Sequence, residues 1–329
     1  MFDALENSPR LLIETTLRPV QGDRFQPTGF ADLGAATYRT ADGVRKLLVE
    51  SAQSVANRLE ATILGPDNEL IEELEGLSYV RVKLNGPSDA VTNSLIEAHR
   101  MNSPFIISDK EFQRIFVEEA GYKRGTSVNW RKVARAIYKY DVNSLLHGIF
   151  LANVEDGRIR LARAVTGFVE ATDVLEAVSG GVKNNPLDPT GKLRAVGYDK
   201  DVYGNVPYTR VEYTAAQITG FFNLDLRLLR SYDLGHDAWQ LLVALALLKI
   251  RRFLDNGMRL RTACDLELDG GPSVTSPSRF QIPTEAELLS RAQEGIRATA
   301  SMFADPPVTE FVTKVTDKKS KTTSSEREA

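Results

Sequence analysis

The dipeptide Asp156-Gly157, preceded by Glu155 and set between two apolar runs, constrains the fold more than any other local feature. An Asp-Gly pair suits the positive backbone angles of a tight turn, so the flanking segments predict a hairpin: Ser144 to Asn153 going up, Arg158 to Glu170 coming back. Further strands read from composition and alternation. Arg10 to Arg18 carries Leu11, Leu12, Ile13, Thr15, Thr16 and Leu17 and stops at Pro19. Phe221 to Leu226 forms another strand, and Met258 to Leu268 alternates as one half-buried strand, with Arg259 and Arg261 opposite Met258, Leu260 and Cys264.

Two helices are legible. Val44, Leu48, Val55 and Leu59 share one side of a helix predicted from about Val44 to Ile63 and ended by Gly65-Pro66. His236 to Asn256 predicts a buried helix stopped by Gly257. Between roughly Leu70 and Tyr140 the pattern is mostly helical and irregular, with Lys123, Arg124, Arg131, Lys132, Arg135 and Lys139 around Trp130, and it reads as a large insertion. Ser179 to Arg210, rich in Gly, Pro, Asn and Asp and carrying Lys183, Lys192, Arg194 and Lys200, is too long for an ordinary connection. The tail from Thr316 has nothing that could pack and is expected to be disordered. The order strand, helix, hairpin, strand, helix, strand is compatible with an α+β, ferredoxin-like sheet carrying insertions.

With 42% hydrophobic and 26% charged residues the chain can bury a large core, and its formal net charge of −3 argues against nonspecific coating by nucleic acid. No apolar run reaches the ~18 residues of a membrane span. The N-terminus lacks the basic and apolar segments of a secretory signal, so a cytoplasmic location is the expectation. Cys264 is the only cysteine, which excludes an internal disulfide and a cysteine-based zinc site within one chain.

Catalytic signatures are sparse. There is no phosphate loop of the form G-x-x-x-x-G-K-[ST], no G-x-S-x-G elbow, and no pair of carboxylates at a distinctive spacing. His147 sits in an apolar run and reads as a core histidine bonded to backbone. His99, beside Arg100, is the better candidate for general acid/base work on RNA. The expectation is no catalytic residue, no metal and no cofactor.

Several clusters suit a polyanion. Arg18, Gln21, Arg24, Gln26 and Thr28 crowd one Pro/Gly-punctuated loop with Phe25, which either stacks on a base or tucks into the core. Gln53, Ser54, Asn57 and Arg58 form a helix face of hydrogen-bonders in place of the Glu/Lys mixture of a solvated face. Lys249, Arg251 and Arg252 close a helix, where the macrodipole alone would favour cations, and Arg259 and Arg261 either contact RNA or pair with Asp265 and Glu267.

In order along the chain, LRPVQGDRFQPTGFADLG from Leu17, LVESAQSVANRLE from Leu48, GGVKN from Gly180, GNVP from Gly204, FNLDL from Phe222, ALLKIRRFLD from Ala246 and LRTACDLE from Leu260 resemble the RAMP-superfamily backbone subunit of type I-G (formerly I-U) CRISPR surveillance complexes. The resemblance implies a ferredoxin-like (RRM-like) palm at 1–63, 141–178 and 211–315, a helical finger insertion at 64–140 and a thumb hairpin at 179–210, with 316–329 a disordered tail. It implies a non-catalytic subunit that oligomerises along guide crRNA and supports pairing with target DNA, beside a large subunit and a cap or repeat-processing subunit. Its RNA-binding residues would be those of the loop and helix face, with Lys183, Asn184, Arg252, Arg259 and Arg261. Related backbone subunits that cut RNA with a loop aspartate keep Asp23 and Asp32 in view. An RNA endonuclease on the same fold is the alternative, and a protein-only scaffold the third reading.

Overall fold

The computed structural model describes residues 1–30, 32–85, 90–193 and 204–315, so Arg194, Lys200 and the tail from Thr316 lie outside the described residues. Strand β1 (Leu11–Pro19) buries Leu11, Ile13, Thr15 and Leu17 and turns the intervening residues outward, the alternation of a strand with one covered face. Short strands β2 (Gly29–Phe30), β3 (Gly34–Ala35) and β4 (Thr37–Arg39) lead to β5 (Arg45–Glu50). The predicted helix start at Val44 is therefore corrected. Leu47 and Val49, two residues apart and fully buried, satisfy strand periodicity, and ladder bonding to a later strand decides for it. Helix α1 (Ala52–Ala61) begins only where the Ser51 side chain accepts the Ser54 N–H at 3.2 Å.

The insertion contains β6 (Tyr79–Asn85), β7 (Val91–Asn93), α2 (Pro104–Ile107), α3 (Lys110–Ala120) and α4 (Trp130–Tyr140). It is less helical than its sequence suggests. On α4 the basic residues Arg131, Lys132 and Arg135 face solvent while Val133, Ala134, Ile137 and Tyr138 are buried, which makes this charge run the wet side of an amphipathic helix.

The Asp156-Gly157 hairpin is present but small. Residues Val142–His147 form helix α5, capped by Asp141, whose side chain accepts the Ser144 N–H at 3.3 Å, so His147 is helical and not in a strand. Only β8 (Ile149–Phe150) and β9 (Arg160–Leu161) pair across the turn before β10 (Val165–Thr172). Gly148 makes the crossing possible: its φ is +76°, and a Cβ there would lie 2.9 Å from the Leu161 carbonyl oxygen.

Strands β11 (Leu175–Lys183) and β12 (Val206–Thr214) form a two-stranded ribbon in register from Leu175↔Thr214 to Lys183↔Val206. The chain continues through β13 (Gln217–Leu224), α6 (Leu226–Ser231), α7 (His236–Asp255), β14 (Met258–Arg261), β15 (Cys264–Leu268), β16 (Ser273–Ser276), α8 (Glu285–Ala298) and β17 (Val308–Lys314). The single strand expected over Met258 to Leu268 is a hairpin, β14 pairing back on β15, because the alternation continues unbroken across the bend at Thr262 and Ala263. Strand β17 lies outside the main sheet and pairs in parallel with β6, so it completes the three-stranded sheet of β17, β6 and β7.

The main sheet is antiparallel, in the order β14-β15-β1-β13-β10-β5-β4, with β16 also on β1. Helices α1 and α7 pack together over one face, and the architecture is mixed α and β around that antiparallel sheet. Phe222 of β13 meets Phe253 of α7 edge-on at 6.2 Å. Gly167 lets α1 come close, since a Cβ there would sit 2.6 Å from the Phe222 ring and 3.0 Å from Val55. Along α7, Leu241, Leu242, Val243, Leu245, Leu247, Leu248 and Ile250 are all buried, and each such side chain stabilises by about 1.5–3 kcal/mol.

A buried polar network ties the layers together. Arg100 donates from Nε and Nη2 to the two Glu60 carboxylate oxygens at 2.8 Å each, and from Nη1 to the Gly148 carbonyl at 2.9 Å. Asn143 Nδ2 donates to Glu60 at 2.8 Å, and Lys249 Nζ of α7 donates to Asn143 Oδ1 and to His147 Nε2, the latter at 3.0 Å. His147 is thus a core histidine bonded to a lysine, where a backbone partner was expected. Burial pushes Lys249 down to about 8 from 10.5. Between these values the unfolded chain binds more protons than the folded one, so this group raises stability as pH rises through that window. Urea unfolding should show the wild type gaining about 2 kcal/mol from it between pH 7.5 and 9.5 and Lys249→Met lacking that gain. Parallel pH curves for the two proteins would contradict it.

Candidate nucleic-acid interface

The loop after β1 is held at both ends. Phe25 exchanges backbone hydrogen bonds with Tyr213 of β12 at 2.9 Å, and the Gln26 N–H donates to the Ala263 carbonyl in the β14–β15 turn at 2.7 Å. Phe25 itself has no exposed surface. It is a core residue that pins the loop, so of its two sequence readings the core position holds and base stacking does not.

With Phe25 inward, Gln21 and Arg24 face a cleft of about 450 Å³ shared with Arg210 of β12 and Arg259 of β14. Glu212, almost fully buried, takes both Arg24 at 3.5 Å and Arg210 at 3.1 Å, two guanidinium groups on one carboxylate. Arg259 is exposed and has no carboxylate partner among the described residues. Asp23 and Asp265 also line this cleft, so its charge is close to balanced and its donors are local.

The same two-to-one arrangement recurs beside it. Glu50, at the end of β5 and with no exposed surface, accepts from Arg58 Nε at 2.8 Å, from Ser54 Oγ and from Arg261 Nη2. Arg261 donates onward to the Gln26 carbonyl at 2.9 Å and the Val49 carbonyl at 3.1 Å, fixing the loop against β5. Gln26, Thr28 and Arg261 then line a second cleft of about 580 Å³ with Glu176 and Tyr213 at the root of the ribbon. Arg58 and Arg261 are therefore half-buried structural partners of Glu50, not free phosphate donors.

The remaining sequence candidates scatter. Arg18 pairs across strands with Glu267 of β15 at 2.9 Å, both side chains exposed, and Gln53 and Asn57 bond each other at 2.9 Å on α1. Arg252 is buried, donating to Glu285 of α8 at 2.8 Å and to the Thr62 carbonyl at 3.2 Å, which removes it from any surface. Lys183 and Asn184 are exposed at the far end of the ribbon, roughly 26 Å from its root at the strand rise per residue. Sequence reading missed Arg210, Glu212 and Glu50. Arg210 and Glu212 were findable as an Arg-x-Glu pair on one strand face, and Glu50 as an acid closing an apolar run.

Asp32 is exposed and Asp23 lies on the first cleft, and among the described residues no three His, Cys, Asp or Glu side chains gather as a metal-binding group. No described helix is long and apolar enough to cross a membrane.

Residues 11–176 match the family described as CRISPR-associated protein GSU0053, and the chain belongs to that family. No curated protein matches. Among solved structures, a chain of a "CRISPR RNA-guided surveillance complex, pre-nicking" is 12% identical with a TM-score of 0.41, covering 92% of this chain and 96% of its own. A chain of a "CRISPR RNA-guided surveillance complex" is 13% identical with a TM-score of 0.37, covering 89% and 82%, and Csc2 of Thermofilum pendens is 10% identical at 0.29, covering 91% and 79%. Likenesses this distant add nothing to the family assignment.

Proposed function

We propose that this chain is a non-catalytic, crRNA-binding backbone subunit of a type I-G CRISPR surveillance complex, repeated along the guide and supporting its pairing with target DNA. Membership of a CRISPR-associated family supports the setting. The observation that carries the RNA-binding reading is the convergence of Gln21, Arg24, Arg210 and Arg259 on one cleft where loop, ribbon and β14–β15 turn meet. Arginines fixed in number and direction by Glu212 present guanidinium groups to phosphate without reading bases, and base pairing between guide and target carries the sequence.

Within this reading the sheet order β15-β1-β13-β10 with α1 and α7 on one face is a ferredoxin-like palm, the β11–β12 ribbon is the thumb, and the region from β6 to α4 is the finger insertion. Copies of the chain, a large subunit and a cap subunit are its partners, in the cytoplasm. RNA cutting by Asp23 or Asp32 is the competing activity, and shortening of a labelled repeat or target RNA by the purified protein would establish it. Replacing Arg24 and Arg259 by alanine removes two phosphate contacts, so the slope of log affinity against log salt for single-stranded RNA should flatten by about 1.4. Fluorescence anisotropy checks this, and an unchanged slope in a folded double variant contradicts the assignment.

A further inference from the structure

A separate cleft of about 940 Å³ opens between the turn at His99 to Asn102, Gly148 to Asn153, and the segment 160–163 that begins with β9. None of the side chains lining it is a carboxylate. Two of its guanidinium groups have no acidic partner among the described residues. Arg160 lies 5.9 Å from the centroid of the Phe150 ring, which is half exposed. Arg163 donates only to the Ala52 carbonyl at 3.4 Å and to the Gln53 side-chain oxygen.

His147, 1% exposed, also lines this cleft. Lys249, an ammonium donor, occupies its Nε2, so the ring proton resides on Nδ1, and Nδ1 has no hydrogen-bond partner. A buried donor without an acceptor is costly, and here it accompanies two uncompensated cations and an exposed ring.

We infer that this cleft is a nucleotide-binding site, taking a base against Phe150 and Arg160 and a phosphate or other acceptor oxygens at Arg163 and His147. The set is donor-rich, positively charged and carries one planar apolar surface, which is the complement of a nucleotide, and its volume falls in the range of small-ligand clefts. It uses none of the residues of the loop cleft, so it goes beyond the guide-binding reading. A residue of a single strand and a free mononucleotide share this chemistry.

The test is photo-crosslinking of the full chain to a single-stranded 5-iodouracil oligonucleotide, in RNA and DNA forms. The expected adduct falls in the tryptic peptide 140–158, which contains Phe150. Phe150→Leu with Arg160→Gln, both at exposed positions, should abolish that adduct and weaken binding by about tenfold, while Arg24→Ala should leave the adduct in place. Suppression by uridine 5′-monophosphate identifies a free nucleotide as ligand, and suppression by unlabelled strand alone identifies a strand residue. Adducts mapping only to other peptides, or an adduct of undiminished yield in the folded double variant, would overturn the inference.

Discussion

Glu60→Ala should lose about 3–5 kcal/mol of stability, the cost of breaking a buried ion pair from one side. Glu60 is the common acceptor of Arg100 and Asn143, and its removal leaves the Arg100 guanidinium buried with only the Gly148 carbonyl. Arg100 already sits at a φ of +51°, a backbone position that this pairing helps to hold. Against a total of about 5–15 kcal/mol the loss is severe, and because Arg100 lies between β7 and α2 while Glu60 belongs to α1, it should loosen that segment against α1. Equilibrium urea unfolding with limited proteolysis checks both effects. Adding Arg100→Ala should recover part of the loss, since the second change removes the stranded charge. A single-variant loss under about 1 kcal/mol would mean that the network is not a structural tie.

Glu50→Ala is expected to cost about 3 kcal/mol and to release the loop from Gln21 to Thr28. The carboxylate has no exposed surface and neutralises Arg58 and Arg261, and Arg261 in turn holds the Gln26 carbonyl. Both arginines keep a quarter to a third of their surface in water, which puts this cost at the lower end of the range for buried pairs. Faster amide exchange across residues 20–28, with RNA affinity falling alongside stability, would be the signature. Loop exchange unchanged in a destabilised variant would separate Glu50 from the RNA-binding loop.

Sequence alone revealed the long buried helix, ended at Gly257, and the strand beginning near Leu11, because in each the apolar period, the breaker and the length agree, whereas the strand expected over Phe221 to Leu226 is shifted: β13 runs Gln217–Leu224, and Asp225 caps helix α6 from Leu226. It failed where two periods fit the same residues. Leu47, Val49, Val55 and Leu59 satisfy one helical stripe, yet the first pair belongs to β5 and the second to α1, and only pairing with β10 decides. Met258 to Leu268 alternates without interruption through a hairpin, because alternation does not register a reversal of direction.

The candidate interface was legible as composition and not as geometry. Arginine and glutamine in the loop marked the right segment, but which arginines are free depends on Glu50, Glu212 and Glu285, which come from β5, β12 and α8. Partners far apart in sequence leave no local trace. Arg58, Arg252 and Arg261 proved to be tied to distant carboxylates for that reason, whereas Arg24 and Arg259 converge on the cleft.

Co-expression of the chain with a repeat–spacer transcript, followed by size-exclusion chromatography with absorbance at 260 and 280 nm, tests the central claim most directly. The account predicts a nucleotide-bearing assembly of several copies whose protected RNA is intact. A nucleotide-free monomer eluting beside unbound transcript would contradict it.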